Sequence, residues 1–396
     1  MNPALALPQS RASSRDRWVV WTAATLAVVF FAVVSGPVLP YARSHDFPQF
    51  YFAPQMVRDG HAPQLYDRDL QFDFQRRVAP EAPVLTAYVR PAFYAVLLAP
   101  LSWLPFQAAF VAFLAGQLAL LGALWWWAYR RFGPHSLIFC SLFIPAGFGL
   151  INSQDCVAIL AIVTAGWLAF ERRRETLAGG ILALALIKFH LLLLLVPAMA
   201  IRKRWKMLAA YAGAACLEAA VSIAMLRAQG VRQYFALLTS KDLATLSPSP
   251  ERMLNVHAIL ENLGIAAPWT SAIAVCAVLV VAWYGVREAR QDWQWFWIAV
   301  LASLLVAPHV YEYDAALLLP AMLMCVSEPG GGRSVERLRL AAATAALPIP
   351  YLCTLIGRPW SIAPALALTV WLGVLVAFAS RPADGVIRCR PVAVTQ

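Results

Sequence analysis

The chain has 396 residues, of which 61% are hydrophobic and only 13% charged, with a formal net charge of +11. That balance excludes a soluble globular domain, which would need far more polar surface. The positive charge does not point to nucleic acid either: Lys and Arg fall in short clusters between apolar runs, at 130–131, 172–174, 202–206 and 381–390, as the cytoplasmic loops of a membrane protein do.

Placing each basic cluster in the cytoplasm sets the path by parity. A tail at 1–17, with Arg11, Arg15 and Arg17, lies inside and leads into a first span at 18–40. No small-residue cleavage site closes that run, so it reads as a retained span rather than a signal peptide. Residues 41–90 form a polar, helical first outer loop. Residues 91–105 are apolar but too short to cross, and are expected to lie in the outer interface. The span 106–129 returns to Arg130 and Arg131. Residues 136–150 go out, 152–155 turn, and 156–170 come back.

The segment 177–201 has basic clusters at both ends, which one straight span would put on opposite sides. A hairpin of two short arms turning at Lys188, Phe189 and His190 keeps both inside, with the turn at membrane depth, sheltered by protein or facing a water-filled cavity. Then follow 207–226, a second outer loop at 227–267, and spans at 269–286, 293–307, 315–326, 340–356 and 361–379, with a cytoplasmic tail at 380–396. The expectation is an all-α polytopic bundle of about 12 membrane-crossing segments, some short, forming one transmembrane domain over 18–379. Of the 32 Lys and Arg, 20 fall inside on this path and 11 outside, with Lys188 in the hairpin, and that asymmetry supports the orientation.

Polar groups gather in the outer turns. Asp46 emerges just after the first span, where burial and nearby arginines can tune a carboxylate as a general base; it can equally cap the helix that follows. Arg43, Arg58 and Arg90 offer guanidinium forks to a phosphate, or pair with Asp59, Asp67 or Asp69 as ordinary solvated charges. Asn152 to Asp155, Lys188 to His190, and Pro308 to Asp314 place costly polar side chains in an apolar chain, and such residues are functional candidates. For Lys188 the plainer role is an ion pair with Asp155, Glu312 or Asp314; for His190 and His309 it is packing. No metal-ligand spacing, P-loop or GxGxxG is present, and the seven cysteines form no CxxC, so no metal or cofactor is implied.

The run Asp46-Phe47 with Tyr51, Gly60 and Leu65-Tyr66-Asp67 resembles the first outer loop of glycosyltransferase family 87, the polyprenol-phosphate-mannose-dependent enzymes. The resemblance continues in order through Arg90-Pro91, Leu98-Ala99-Pro100-Leu101, the Gln154 turn, Ala178-Gly179, Lys188-Phe189-His190, and Pro308-His309 with Tyr313-Asp314. Phe189 stands where the family usually has Pro, and the family's Gly-Gln-x-Asn reads Ser153-Gln154-Asp155-Cys156.

The resemblance implies a GT-C-type membrane enzyme. It would move a hexosyl unit, mannosyl by analogy, from a polyprenyl phosphate carrier to a glycolipid or polysaccharide acceptor on the outer face of the inner membrane, with inversion. Asp46 would be the base. Arg58, Arg90, Lys188 and His190 would neutralise the phosphate, and Gln154, His309, Tyr313 and Asp314 would shape the substrate pocket. Membrane lipids are the other expected partners, and nucleic acid is not one. A lipid-linked-sugar or small-solute transporter is the alternative, favoured by the mid-span Glu218; a membrane scaffold is a third. The one-sided polar turns and the lack of a repeat between the two halves favour the enzyme.

Overall fold

A computed structural model describes residues 46–80, 82, 85–240 and 249–381, with isolated positions between 18 and 29. The tails at 1–17 and 382–396 and most of the first span lie outside the described residues. The described chain is all helical, with no strand among the described residues. Six of its helical stretches are long and apolar enough to cross a membrane: 106–132, 175–192, 205–239, 268–288, 333–356 and 360–379. Two shorter apolar helices accompany them. The protein is a helical membrane protein.

The segment read from sequence as the first outer loop is a small helical unit. Helix α1 (Phe47–Arg58) is followed by α2 (Arg68–Val78), whose N-cap Asp67 accepts a hydrogen bond from the Leu70 amide at 3.1 Å. Asp69 in its first turn and Arg76 and Arg77 in its last complement the helix dipole. The extended segment 85–90 has no neighbouring strand to satisfy its backbone. Side-chain amides of α2 take that role: Gln71 donates to the Leu65 and Tyr88 carbonyls at 2.6 and 3.1 Å and accepts from the Tyr88 amide at 2.9 Å, while Gln75 accepts from Thr86 at 2.8 Å. The Tyr66 hydroxyl donates to the Arg90 carbonyl at 2.8 Å, which fixes the end of this segment. Helix α3 (Ala92–Leu97) and a 3-10 turn over Ala99–Trp103 complete the stretch expected at the interface.

The bundle follows. Helix α4 (Phe106–Phe132) leads to α5 (His135–Leu142) and α6 (Pro145–Ile151), two short helices where one crossing segment was expected. Pro145, which fits a first helical turn but not an interior, sets that break. Helices α7 (Cys156–Glu171) and α8 (Glu175–Ala183) run on to a 3-10 stretch over Leu184–Leu192, in which Lys188 leaves helical geometry at φ −124°, ψ 63°. Helix α9 (Leu195–Ile201) then returns to α10 (Trp205–Thr239), which continues past residue 226 through a break at Arg227. Arg204 pairs with Glu175 at 3.2 Å, so the two ends of 175–204 meet and the chain reverses between them. Gly179 lets α8 lie directly on α10: a Cβ there would stand 2.1 Å from the Met207 carbonyl oxygen.

After α11 (Val256–Asn262) and α12 (Pro268–Glu288) comes α13 (Asp292–Val306), apolar all round and buried along nearly its whole length, hence the bundle's central helix. Next are a 3-10 turn over Glu312–Leu318 and α14 (Leu319–Val326), then α15 (Arg333–Ala346), α16 (Pro348–Ile356) and α17 (Ala363–Ala379). Helices α4, α10 and α12 leave much of their apolar surface uncovered, as lipid-facing helices do.

The bundle has two distinct polar ends. At one, Arg131 pairs with Glu171 at 2.7 Å, Arg173 with Asp292 at 2.9 Å, and Arg204 with both Asp292 and Glu175. The other end carries the N-terminus of α7, the C-terminus of α13 and the outer-loop unit, and lies about 24 Å away along the 16 residues of α7.

Replacing Gln71 with Leu removes three hydrogen bonds to buried backbone groups and is expected to cost about 2–4 kcal/mol. The apparent Tm in detergent should fall by several degrees; an unchanged Tm would show that segment 85–90 is held by other means.

Candidate active site

The second polar end gathers side chains from five stretches of the sequence, around residues 46, 90, 154–155, 188–190 and 309–314. Asp46 sits at the N-terminus of α1 but makes no capping hydrogen bond there. Its carboxylate instead accepts a hydrogen bond from Gln154 Nε2. Gln154 Oε1 accepts from Arg90 Nη2 at 3.2 Å and from Lys188 Nζ at 3.2 Å. Because two cations claim the amide oxygen, the amide nitrogen must face Asp46, and the direction of the relay follows from chemistry. Asp155 bridges the same cations, 3.2 Å from Arg90 and 3.4 Å from Lys188, and Lys188 pairs with Asp314 at 2.8 Å. Arg90, Gln154, Asp155, Lys188 and Asp314 are all buried.

Local structure aims each group. The turn before α7 places Ser153 in the left-handed region at φ 55°, a strained setting for a residue other than Gly. The Gln154 amide then closes on the Gly149 carbonyl at 2.7 Å. Gly149 is required where α6 meets α7, since a Cβ would stand 1.9 Å from Cys156 Sγ. The break at Lys188 turns that side chain out of its helical path. Asp314 is held by the Tyr311 amide, which donates to it at 3.1 Å. The Lys188 ammonium lies 5.0 Å from the Tyr313 ring centroid and the Arg90 guanidinium 5.9 Å from that of Phe50, within cation–π range. The His190 and His309 rings stand edge to face with centroids 6.2 Å apart.

Electrostatics follow from burial and pairing. Burial alone would push the Asp155 carboxyl up, but Arg90 and Lys188 hold it below the usual carboxylate range. Burial works against the charged form of Arg90, yet Asp155 beside it keeps the guanidinium firmly protonated. Burial drives the His309 imidazole down to about 4, helped by Lys188 and Arg90 and only partly opposed by Asp314. Arg90 Nε and His190 Nε2 are buried without a hydrogen-bond partner, two nitrogens left for a further polar group.

Asp46, Arg90, Gln154, Lys188, His190, His309, Tyr313 and Asp314 therefore stand together, as they were grouped from sequence. Arg58 does not join them. It ends α1, about 18 Å along the helix from Asp46, where it pairs with Asp59 at 3.0 Å and donates to the Ser102 carbonyl. Arg43 lies outside the described residues. Lys188 also takes the plainer role of an ion-pair partner, with both Asp155 and Asp314. Asp155, fully buried between two cations, is central to the geometry; its place in a polar turn was visible, but its shared partners were not. Glu312 pairs instead with Arg252 at 3.2 Å. Among the described residues no group of three His, Cys, Asp or Glu is arranged to hold a metal ion.

Residues 88–310, more than half of the chain, match the model of glycosyltransferase family 87. No curated protein and no solved structure matches the chain. The chain belongs to glycosyltransferase family 87 and is a membrane glycosyltransferase.

Two outcomes test this geometry. Lys188→Met leaves the buried Asp314 without a cation and Asp155 with Arg90 alone, and should destabilise the protein by about 3–5 kcal/mol. Adding Asp314→Asn should restore part of the loss of thermal stability; no recovery would contradict the pairing. His309 titrates near 6.5 when unfolded and at about 4 when folded, so between those values the unfolded chain binds more protons. Stability should thus fall as pH drops through this window. His309→Gln should flatten the fall in a pH series of thermal scans, whereas an identical slope would remove His309 as its source.

Proposed function

We propose that this family 87 enzyme moves a hexosyl unit, mannosyl by family analogy, from a polyprenyl phosphate carrier to a glycolipid or polysaccharide acceptor at the outer face of the inner membrane. The observation that carries the reading is the continuous link from Asp46 through Gln154 to Arg90 and Lys188. It joins a carboxylate able to take a proton to two cations suited to a phosphate.

In this reading the acceptor hydroxyl oxygen attacks the anomeric carbon while its proton passes to Asp46. The bond from that carbon to the phosphate oxygen breaks, and polyprenyl monophosphate leaves with the electron pair. Inversion follows from a single displacement. Arg90 and Lys188 are fixed before the reaction by Asp155 and Asp314, so they meet the growing phosphate charge without reorganising. Their carboxylate partners temper that charge, which suits a product that must leave again. Arg90 Nε and His190 Nε2, buried without a hydrogen-bond partner, are the nitrogens that would donate to the phosphate oxygens. His309, uncharged at neutral pH, with Tyr313 and Asp314, lines the sugar side. Gln154 positions Asp46: its amide proton stabilises the carboxylate in the form that accepts a proton.

General-base catalysis usually contributes about a hundred- to ten-thousand-fold. With radiolabelled polyprenyl phosphomannose and detergent-solubilised membranes at equal expression, Asp46→Asn should lower transfer by that factor. Transfer unchanged by the mutation would remove Asp46 as the base. Failure of the wild type to use any polyprenyl phosphosugar, with suitable acceptors present, would overturn the donor assignment.

A further inference from the structure

We propose that the end of the bundle opposite the active site binds the phosphate headgroup of an anionic phospholipid, in a groove where α8 and α10 begin. The groove has a volume of about 760 Å³ and is lined by Arg174, Lys203 and Lys206, with Leu177 and Trp205. None of these three cations forms an ion pair among the described residues, whereas Arg173 and Glu175 at the same groove are taken up by Asp292 and Arg204. The charge left over is positive.

The backbone adds to it. Helices α8 and α10 both begin at this end and lie against each other at Gly179, so they run parallel and their dipoles reinforce. Their N-cap residues are Arg174 and Arg204, and neither side chain caps its helix. A cation at a helix N-terminus opposes the dipole, and here Arg174 and Arg204 occupy the caps while Lys206 sits in the first turn of α10. Lys203 holds the left-handed position of its turn at φ 54°, which glycine usually fills. The tendency of basic residues to collect on one side of a membrane protein accounts for cations at this end. It does not account for their gathering around two uncapped, parallel helix starts at one cavity. An anion there would satisfy both the side chains and the free amides.

The apolar rim selects a lipid over a free ion. Leu177 and Trp205 are 49% and 59% exposed at the start of helices that run into the apolar bundle. A headgroup phosphate in the groove would leave its acyl chains alongside them, and basic pockets between membrane helices commonly hold such headgroups.

Native mass spectrometry of the purified full-length protein, titrated with phosphatidylglycerol, phosphatidylcholine or inorganic phosphate, tests this. Wild type should bind phosphatidylglycerol at least tenfold more tightly than phosphatidylcholine, and inorganic phosphate should not compete at equal concentration. The triple variant Arg174→Gln, Lys203→Gln, Lys206→Gln should lose at least tenfold in phosphatidylglycerol affinity. A control of equal charge loss outside the groove, Arg130→Gln, Arg290→Gln, Arg333→Gln, should lose less than twofold. Equal losses in both variants would reduce the effect to surface charge and overturn the proposal. Equal binding of phosphatidylcholine, or full competition by phosphate, would overturn it too. If the triple variant does not fold, Lys203→Gln alone should lose at least threefold, and an unchanged affinity would be decisive against the site.

Discussion

Two cations buried in an apolar bundle are tolerable only if carboxylates reach them, and that requirement organises the candidate active-site end. Arg90 and Lys188 share Asp155, Lys188 takes Asp314 as well, and Gln154 spans both cations. Removing charge from water costs several kcal/mol per ion, and losing one partner leaves that cost uncompensated. The four chain segments that supply these groups are therefore tied together as tightly by charge as by packing. The device that aims each one follows: the left-handed Ser153, the side-chain-free Gly149, the broken helix at Lys188, and the amides of α2 that hold the chain leading to Arg90.

Much of this was readable in advance because membrane burial makes polar residues conspicuous. Basic clusters flanking 177–201 implied a reversal, and the polar turns at 152–155, 188–190 and 308–314 stood out against apolar neighbours. Pairing was readable only in part: Asp155 and Asp314 stood out as partners for Lys188, but Arg90 as the second partner of Asp155 did not. Arg58 and Arg90 are the same residue type in the same loop, and only the helix length between Asp46 and Arg58 and the fold of 85–90 separate a surface pair from a buried one. Asp155 fits a helix-start turn as well as an ion bridge, so sequence spacing could not show that it serves both cations. Helix breaks were partly legible. Pro145 and Pro348 mark the starts of α6 and α16, where single segments were expected, whereas Arg227 in the left-handed region carries no such mark.

The two polar ends use charge differently. At the candidate active-site end, cations and carboxylates are matched and buried, and two buried nitrogens, Arg90 Nε and His190 Nε2, have no hydrogen-bond partner. At the opposite end the pairs of Arg204, Arg173 and Asp292 hold the helices together, and three further cations face an open groove beside exposed apolar side chains. On the reading proposed for each, one end handles a phosphate on a lipid carrier and the other holds a structural lipid. An enzyme whose donor is itself a membrane lipid would gain from both: the first for chemistry, the second for a fixed depth in the bilayer.

The most direct test of the central claim is where a polyprenyl phosphate sits when bound, seen by electron cryo-microscopy of the protein in lipid nanodiscs. The account predicts the phosphate within hydrogen-bonding distance of Arg90 Nε and His190 Nε2, with Asp46 facing the adjoining sugar position. A phosphate bound away from both nitrogens, with the Asp46–Gln154 link intact and unoccupied, would contradict it.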